Sequence, residues 1–112
     1  MTLQHCTLCP KACGADRTRT AGWCGGGAEM RAARAALHFW EEPCISGTGG
    51  AGAVFFSGCA LRCCFCQNRQ ISQEWFGKAI SVSQLSEILL RLQEQGAETL
   101  DLVTGSHYAP WI

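Results

Sequence analysis

No stretch of this chain carries the roughly 20 consecutive apolar residues that a membrane span needs, and its first residues lack the apolar core of a secretory signal. Membrane insertion and export are not expected, and a cytoplasmic location is. Excess charge is absent too, since nine basic and nine acidic residues give a formal net charge of zero. Arg17, Arg19, Arg31, Arg34, Arg62, Arg69 and Arg91 are scattered, with no run or stripe. They read as solvated surface groups, and neither nucleic acid nor a membrane surface is an expected partner. An even cysteine count is also missing: nine cysteines in 112 residues leave one over from any complete set of disulfides. In a chain kept in a reducing compartment they point to metal ligation first.

The cysteines fall into two groups. Cys59, Cys63 and Cys66 follow the apolar run Val54-Phe55-Phe56 at a C-x3-C-x2-C spacing. Thiolates three and four residues apart on one tight loop can meet a compact iron–sulfur cube, and three of them leave one iron of a [4Fe-4S] centre without a cysteine. Cys64 adjoins Cys63, and neighbouring side chains diverge, so only one of the pair easily faces the same cluster. Cys6, Cys9, Cys13 and Cys24 form the second group, C-x2-C-x3-C-x10-C, among turn residues such as Pro10 and Gly14. Four thiolates there suit tetrahedral zinc and an auxiliary iron–sulfur cluster equally. His5, next to Cys6, reads as a bystander. Cys44 reads as a structural, buried thiol, as free cysteine often is.

The first group and its neighbours resemble the radical S-adenosylmethionine (radical SAM) superfamily. Glu41-Glu42-Pro43-Cys44-Ile45-Ser46-Gly47, Val54-Phe55-Phe56-Ser57-Gly58-Cys59, Phe65-Cys66-Gln67-Asn68, Ile71-Ser72 and Leu102-Val103-Thr104-Gly105-Ser106-His107-Tyr108 are similar to the subgroup related to pyruvate formate-lyase activating enzyme. The resemblance implies that Cys59, Cys63 and Cys66 hold a [4Fe-4S] cluster whose open iron binds S-adenosylmethionine. Reductive cleavage would then give a 5'-deoxyadenosyl radical. By the family spacing Cys63 is the ligand, which leaves Cys64 as a small buried residue. The resemblance also implies that Phe65 lies near the adenine, its ordinary alternative being a core phenylalanine. Thr104 and Gly105 match the loop that holds the methionine part of the cofactor. An electron donor such as flavodoxin or ferredoxin is implied, as is a protein substrate of the glycyl-radical kind.

Along the chain, residues 1–27 read as a cysteine-rich metal-binding segment and 28–46 as a helix and linker. The helix is expected over Ala28–Trp40, which is alanine-rich and spaces Met30, Ala33, Leu37 and Trp40 by three and four. Glu41 and Glu42 read as its solvated end. Residues 47–112 read as the start of a partial barrel. Gly47-Thr48-Gly49-Gly50-Ala51-Gly52 contains a formal G-x-G-x-x-G, but its glycines precede a strand instead of joining a strand to a helix, so a flexible turn is expected, not a dinucleotide site. Continuous apolar residues make Gly52–Ser57 a buried parallel strand. Ser81 and Gln84 form a capping box for a helix over Val82–Gln95, with Val82, Leu85, Leu89 and Leu92 on one face and Gly96 at its end. Thr99–Thr104 is the next strand, which completes a right-handed βαβ unit.

The expected fold is therefore α/β: the N-terminal part of a partial parallel (β/α) barrel of the radical SAM type, preceded by a cysteine-rich loop region. Both loops of interest sit where parallel barrels keep their active sites, at the C-terminal ends of strands. His107 faces a substrate there or bonds nearby backbone. Two parallel strands do not make a covered sheet, so the reading expects a truncated or split form whose missing barrel half comes from another polypeptide. The competing reading is a small cysteine-rich zinc-binding module with an interaction role and no catalysis.

Overall fold

The computed structural model describes residues 3–74 and 76–112. Strand β1 (Met30–His38) is followed by the short helix α1 (Pro43–Ser46), strand β2 (Ala51–Phe56), the short helix α2 (Arg69–Ser72), strand β3 (Lys78–Ile80), helix α3 (Val82–Glu94) and strand β4 (Thr99–Val103). A 3-10 turn over Ser106–Trp111 comes last. The four strands form one mixed sheet in the order β3-β1-β2-β4, with β1 antiparallel to β2 and β3, and β2 parallel to β4. Among the described residues no helix is long and apolar enough to cross a membrane.

The expected β2–α3–β4 unit forms. Ser81 accepts from the Gln84 amide at 3.1 Å while the Gln84 side chain accepts from the Ser81 amide at 2.8 Å, which is the capping box in full. Helix α3 buries Leu85 and Leu92 against Met30, Val54, Phe56 and Tyr108, with Ile88, Leu89 and Leu102 packed alongside. Val82, placed on that face by the sequence, is 53% exposed instead.

The helix expected over Ala28–Trp40 is a strand. A β-bulge between Ala32 and Arg34 is the reason that the pattern misled: it adds one residue to β1, so that Ala32 and Leu37, an odd number apart, both pack against the core. The extra residue spaces the inward-facing Met30, Ala32 and Leu37 by two and five, so the even alternation that marks a strand is broken. Local alanine propensity loses to the open ladder of β2, whose apolar residues need a hydrogen-bonded neighbour on each side. Residues 28–46 are thus strand and linker, and β2 lies inside the sheet with β1 and β4 flanking it.

The glycine-rich turn before β2 is closed by Glu98. Its carboxylate accepts from the amides of Thr48 and Gly49, at 3.1 and 2.9 Å, and from the Thr48 hydroxyl at 3.1 Å. These bonds, the Gly49 amide first, hold the Glu98 carboxyl below its ordinary pKa. The amides that a phosphate would need are already engaged, which agrees with a turn and not a nucleotide site. A Cβ on Gly49 would fall 2.0 Å from the Gly96 carbonyl oxygen, so the turn tolerates no side chain there.

Replacing Ser81 by Ala removes the cap of α3 and should cost about 1 kcal/mol, whereas Ser81→Gly should cost only a few tenths. Urea denaturation of the two variants checks the difference.

Candidate metal centre

Strands β2 and β4 run side by side in the same direction, so the loops that leave them emerge at one end of the sheet. Gly58 and Cys59 follow β2, and Thr104 and Gly105 follow β4. The two loops meet: the Thr104 hydroxyl donates to Cys59 Sγ at 3.6 Å. A turn carries the rest of the cysteine motif, with the Cys66 amide bonded to the Cys63 carbonyl at 3.3 Å and Gln73 Nε2 donating to the same carbonyl at 2.9 Å. Helix α2 then brings Ser72 beneath the turn, and its hydroxyl donates to Cys66 Sγ at 3.4 Å.

Cys59, Cys63 and Cys66 are half-buried, and Cys64 beside them is exposed. The buried place expected for Cys64 is therefore corrected, because the turn sends it outward. Phe65 is 85% exposed, which removes its reading as a core residue and leaves a bare aromatic ring next to the motif. Gly105 packs its Cα against Ile112, where a Cβ would lie 2.9 Å from Cδ1. Cys44, expected to be buried, is exposed on α1. That helix turns only Ser46 inward.

The N-terminal cysteine segment lies directly against this loop. The Cys59 amide donates to the Cys24 carbonyl at 3.0 Å, and a Cβ on Gly58 would sit 2.4 Å from that same carbonyl oxygen. Trp23 Nε1 donates to the Ala60 carbonyl at 3.0 Å. Its ring carries the Lys11 ammonium 4.1 Å and the Arg62 guanidinium 5.0 Å from its centroid. Cys6 and Cys24 are buried, Cys9 is half-buried and Cys13 exposed.

His107 takes the backbone alternative. It is 1% exposed, and Nε2 lies 2.8 Å from the Ser57 carbonyl, so this nitrogen carries the proton and donates. Burial, followed by the Arg17 charge, holds its pKa below the ordinary 6.5 against the opposing Ser57 bond. Arg17 departs furthest from expectation: the sequence made it a surface group, and it is 2% exposed. It bonds the carbonyls of His107, at 2.7 Å, and Gly27, at 3.1 Å. Its position among the cysteines, between Cys13 and Cys24, was the only signal in the sequence.

The thiols differ in acidity. Burial acts to raise the Cys59 thiol but is outweighed by the Thr104 hydroxyl and the Leu61 and Arg62 amides, so that its pKa is lowered. Backbone bonding by Trp23 and Ala15 lowers Cys13, and burial raises Cys24. Among the described residues no three His, Cys, Asp or Glu side chains are grouped so as to hold a metal ion. A single zinc needs its thiolates around one point. In a four-iron cube each thiolate serves a different iron, so that three half-buried thiols spread along one turn fit a cluster better than one ion.

Residues 45–109 match the model of a family described as "4Fe-4S single cluster domain". An uncharacterized protein of Methanocaldococcus jannaschii is 34% identical over 77 residues, which are 69% of this chain. The chain spans 22% of the length of that relative. No solved structure matches the chain.

Two outcomes are expected. Thr104→Val should move the pH midpoint of Cys59 alkylation upward in metal-free protein, read peptide by peptide by mass spectrometry. His107 has a folded pKa below its unfolded one, so its contribution to stability is complete above about pH 6.5 and is lost as pH falls through the depressed folded value. His107→Gln should therefore flatten the acid side of the Tm–pH curve.

Proposed function

The chain belongs to the 4Fe-4S single cluster domain family, and on that premise we propose that it is the cluster-bearing portion of a radical S-adenosylmethionine protein related to the pyruvate formate-lyase activating enzyme. In this reading Cys59, Cys63 and Cys66 hold the [4Fe-4S] cluster, and its fourth iron takes the amino and carboxylate groups of S-adenosylmethionine. The unit β2–α3–β4 is then the start of a partial (β/α) barrel, and residues 1–27 stand before it as a metal-binding segment.

The observation that carries the reading is the contact of Thr104 with Cys59 across two parallel strands. It brings the loop read as holding the methionine part against the first cluster ligand, at the strand ends where parallel barrels keep their chemistry. The exposure of Phe65 agrees, because a ring that covers an adenine cannot be spent in the core. The hydroxyls of Thr104 and Ser72 and the amide of Gln73 hold the cysteine turn in place for its load.

Held by Cys59, Cys63 and Cys66, such a cluster would supply one-electron chemistry, fed by a donor of the flavodoxin or ferredoxin class, for the reductive cleavage of S-adenosylmethionine to methionine and a 5'-deoxyadenosyl radical. The protein's part is to position the cofactor and keep water from the site. Further βα units, on this or another polypeptide, complete the enclosure and supply the substrate site, in which a protein glycine is one candidate for hydrogen abstraction.

Anaerobic reconstitution followed by iron, sulfide and zinc analysis and electron paramagnetic resonance tests the proposal. The reduced protein should give a cluster signal that shifts on adding S-adenosylmethionine. Cys59→Ala, Cys63→Ala and Cys66→Ala should each abolish it, and Cys64→Ala should leave it. Zinc alone, without an iron–sulfur signal, would favour the non-catalytic binding module.

A further inference from the structure

The matched family region begins at residue 45, so the four N-terminal cysteines lie outside it. Their surroundings contain an unbalanced charge. The Arg17 guanidinium is shut from solvent, and no ion pair among the described residues includes it. Its neighbour Asp16 directs its carboxylate to Thr18. Arg17 rests instead on two carbonyls and on the rings of Tyr108 and Trp111, 5.7 and 5.3 Å from their centroids. Nη2 has no hydrogen-bond partner among the described residues. A buried cation without a counter-anion is costly.

Its remaining neighbours are thiols. Nη1 lies 3.9 Å from Cys6 Sγ. A Cβ placed on Gly26 would be 2.7 Å from the unpartnered Nη2 and 3.2 Å from Cys24 Sγ, so nitrogen and sulfur border the same small space. Cys13 Sγ and Cys24 Sγ in turn both border Gly22, 3.6 and 3.7 Å from where its Cβ would stand. Two backbone turns present these sulfurs. In one, Cys6 exchanges bonds with Ala15 and Gly14, and the Ala12 amide closes on the Cys9 carbonyl. In the other, Gly22 and Gly26 close around Cys24. Two sulfurs are buried and two are not, and among the described residues the four are not gathered around one point, so that a metal would have to draw the two turns together.

We infer that Cys6, Cys9, Cys13 and Cys24 hold a second, thiolate-ligated metal centre whose negative charge is offset in part by the buried Arg17. Four thiolates around a divalent zinc, or around a doubly positive four-iron core, leave about two negative charges. That is the counter-charge which the guanidinium lacks. The metal displaces the thiol protons, so the centre and the buried cation are stable together. The inference does not depend on the cluster reading of Cys59, Cys63 and Cys66.

The test uses the full chain with Cys59, Cys63 and Cys66 all changed to Ser. One portion is loaded with zinc and another, without oxygen, with iron and sulfide. After gel filtration, about one zinc or about four iron should remain per chain, and the arm that retains metal identifies the centre. Cys6, Cys9, Cys13 and Cys24 should be protected from alkylation while Cys44 and Cys64 react. In the otherwise unaltered chain, Cys9→Ser and Cys13→Ser, both on the surface turn, should lower bound metal by that same amount. Arg17→Met should weaken retention at least tenfold in chelator competition, beyond any loss of stability that urea denaturation reads in the metal-free chain, and Arg17→Lys should restore it. Retention of neither metal, or alkylation of the four cysteines as fast as Cys44 in both arms, would overturn the second centre. Unchanged retention in Arg17→Met would overturn its charge balance.

Discussion

Everything near the metal centre hangs on a buried chain of hydrogen bonds that starts at Arg17. Its guanidinium donates to the His107 carbonyl, and the His107 ring donates to the Ser57 carbonyl. The Ser57 hydroxyl goes on to Phe76, and its amide to Arg31. Five segments are thereby tied together: the cysteine-rich N-terminal segment, β1 at Arg31, the end of β2, the approach to β3, and the turn after β4. Arg17, Ser57 and His107 are shut from water and must find their partners within the protein, so that removing one strands the next. A chain of this kind fixes loop positions more firmly than apolar packing does, because hydrogen bonds are directional and dispersion contacts are not.

The consequence for chemistry is that the two cysteine groups share one end of the molecule. The Cys24 carbonyl accepts the Cys59 amide, and only a glycine at position 58 lets that carbonyl come so close. The first cysteine of one group is therefore one hydrogen bond from the last cysteine of the other. Trp23 strengthens the junction through its indole bond to Ala60 and the two cations on its ring.

The parts legible in the sequence were those in which local and tertiary preferences agree. Continuous apolar residues gave β2, the Ser81–Gln84 box gave the start of α3, and βαβ order gave the parallel pairing with β4. Strand β1 was hidden because the bulge at Ala32–Arg34 broke its alternation, and because its alanines locally favour a helix that the neighbouring strands override. Cys44 and Cys64 were misplaced by the general burial of free cysteine, which cannot say which way one turn points its side chains. Arg17 was missed for a related reason: a lone arginine in a loop carries no sign of the carbonyls and thiols that distant segments bring to it. The thiols of the cysteine turn could be located, but the hydroxyls of Thr104 and Ser72 upon two of them depend on loop geometry that spacing does not encode.

Mössbauer spectroscopy of protein reconstituted with iron-57 tests the central claim most directly, because it resolves the individual irons. Three cysteine ligands predict that, whatever the second cysteine group holds, a single iron of the [4Fe-4S] cluster on Cys59, Cys63 and Cys66 changes its parameters when S-adenosylmethionine is added. Four irons that remain indistinguishable and indifferent to the addition, or a protein that assembles no cluster, would contradict the account.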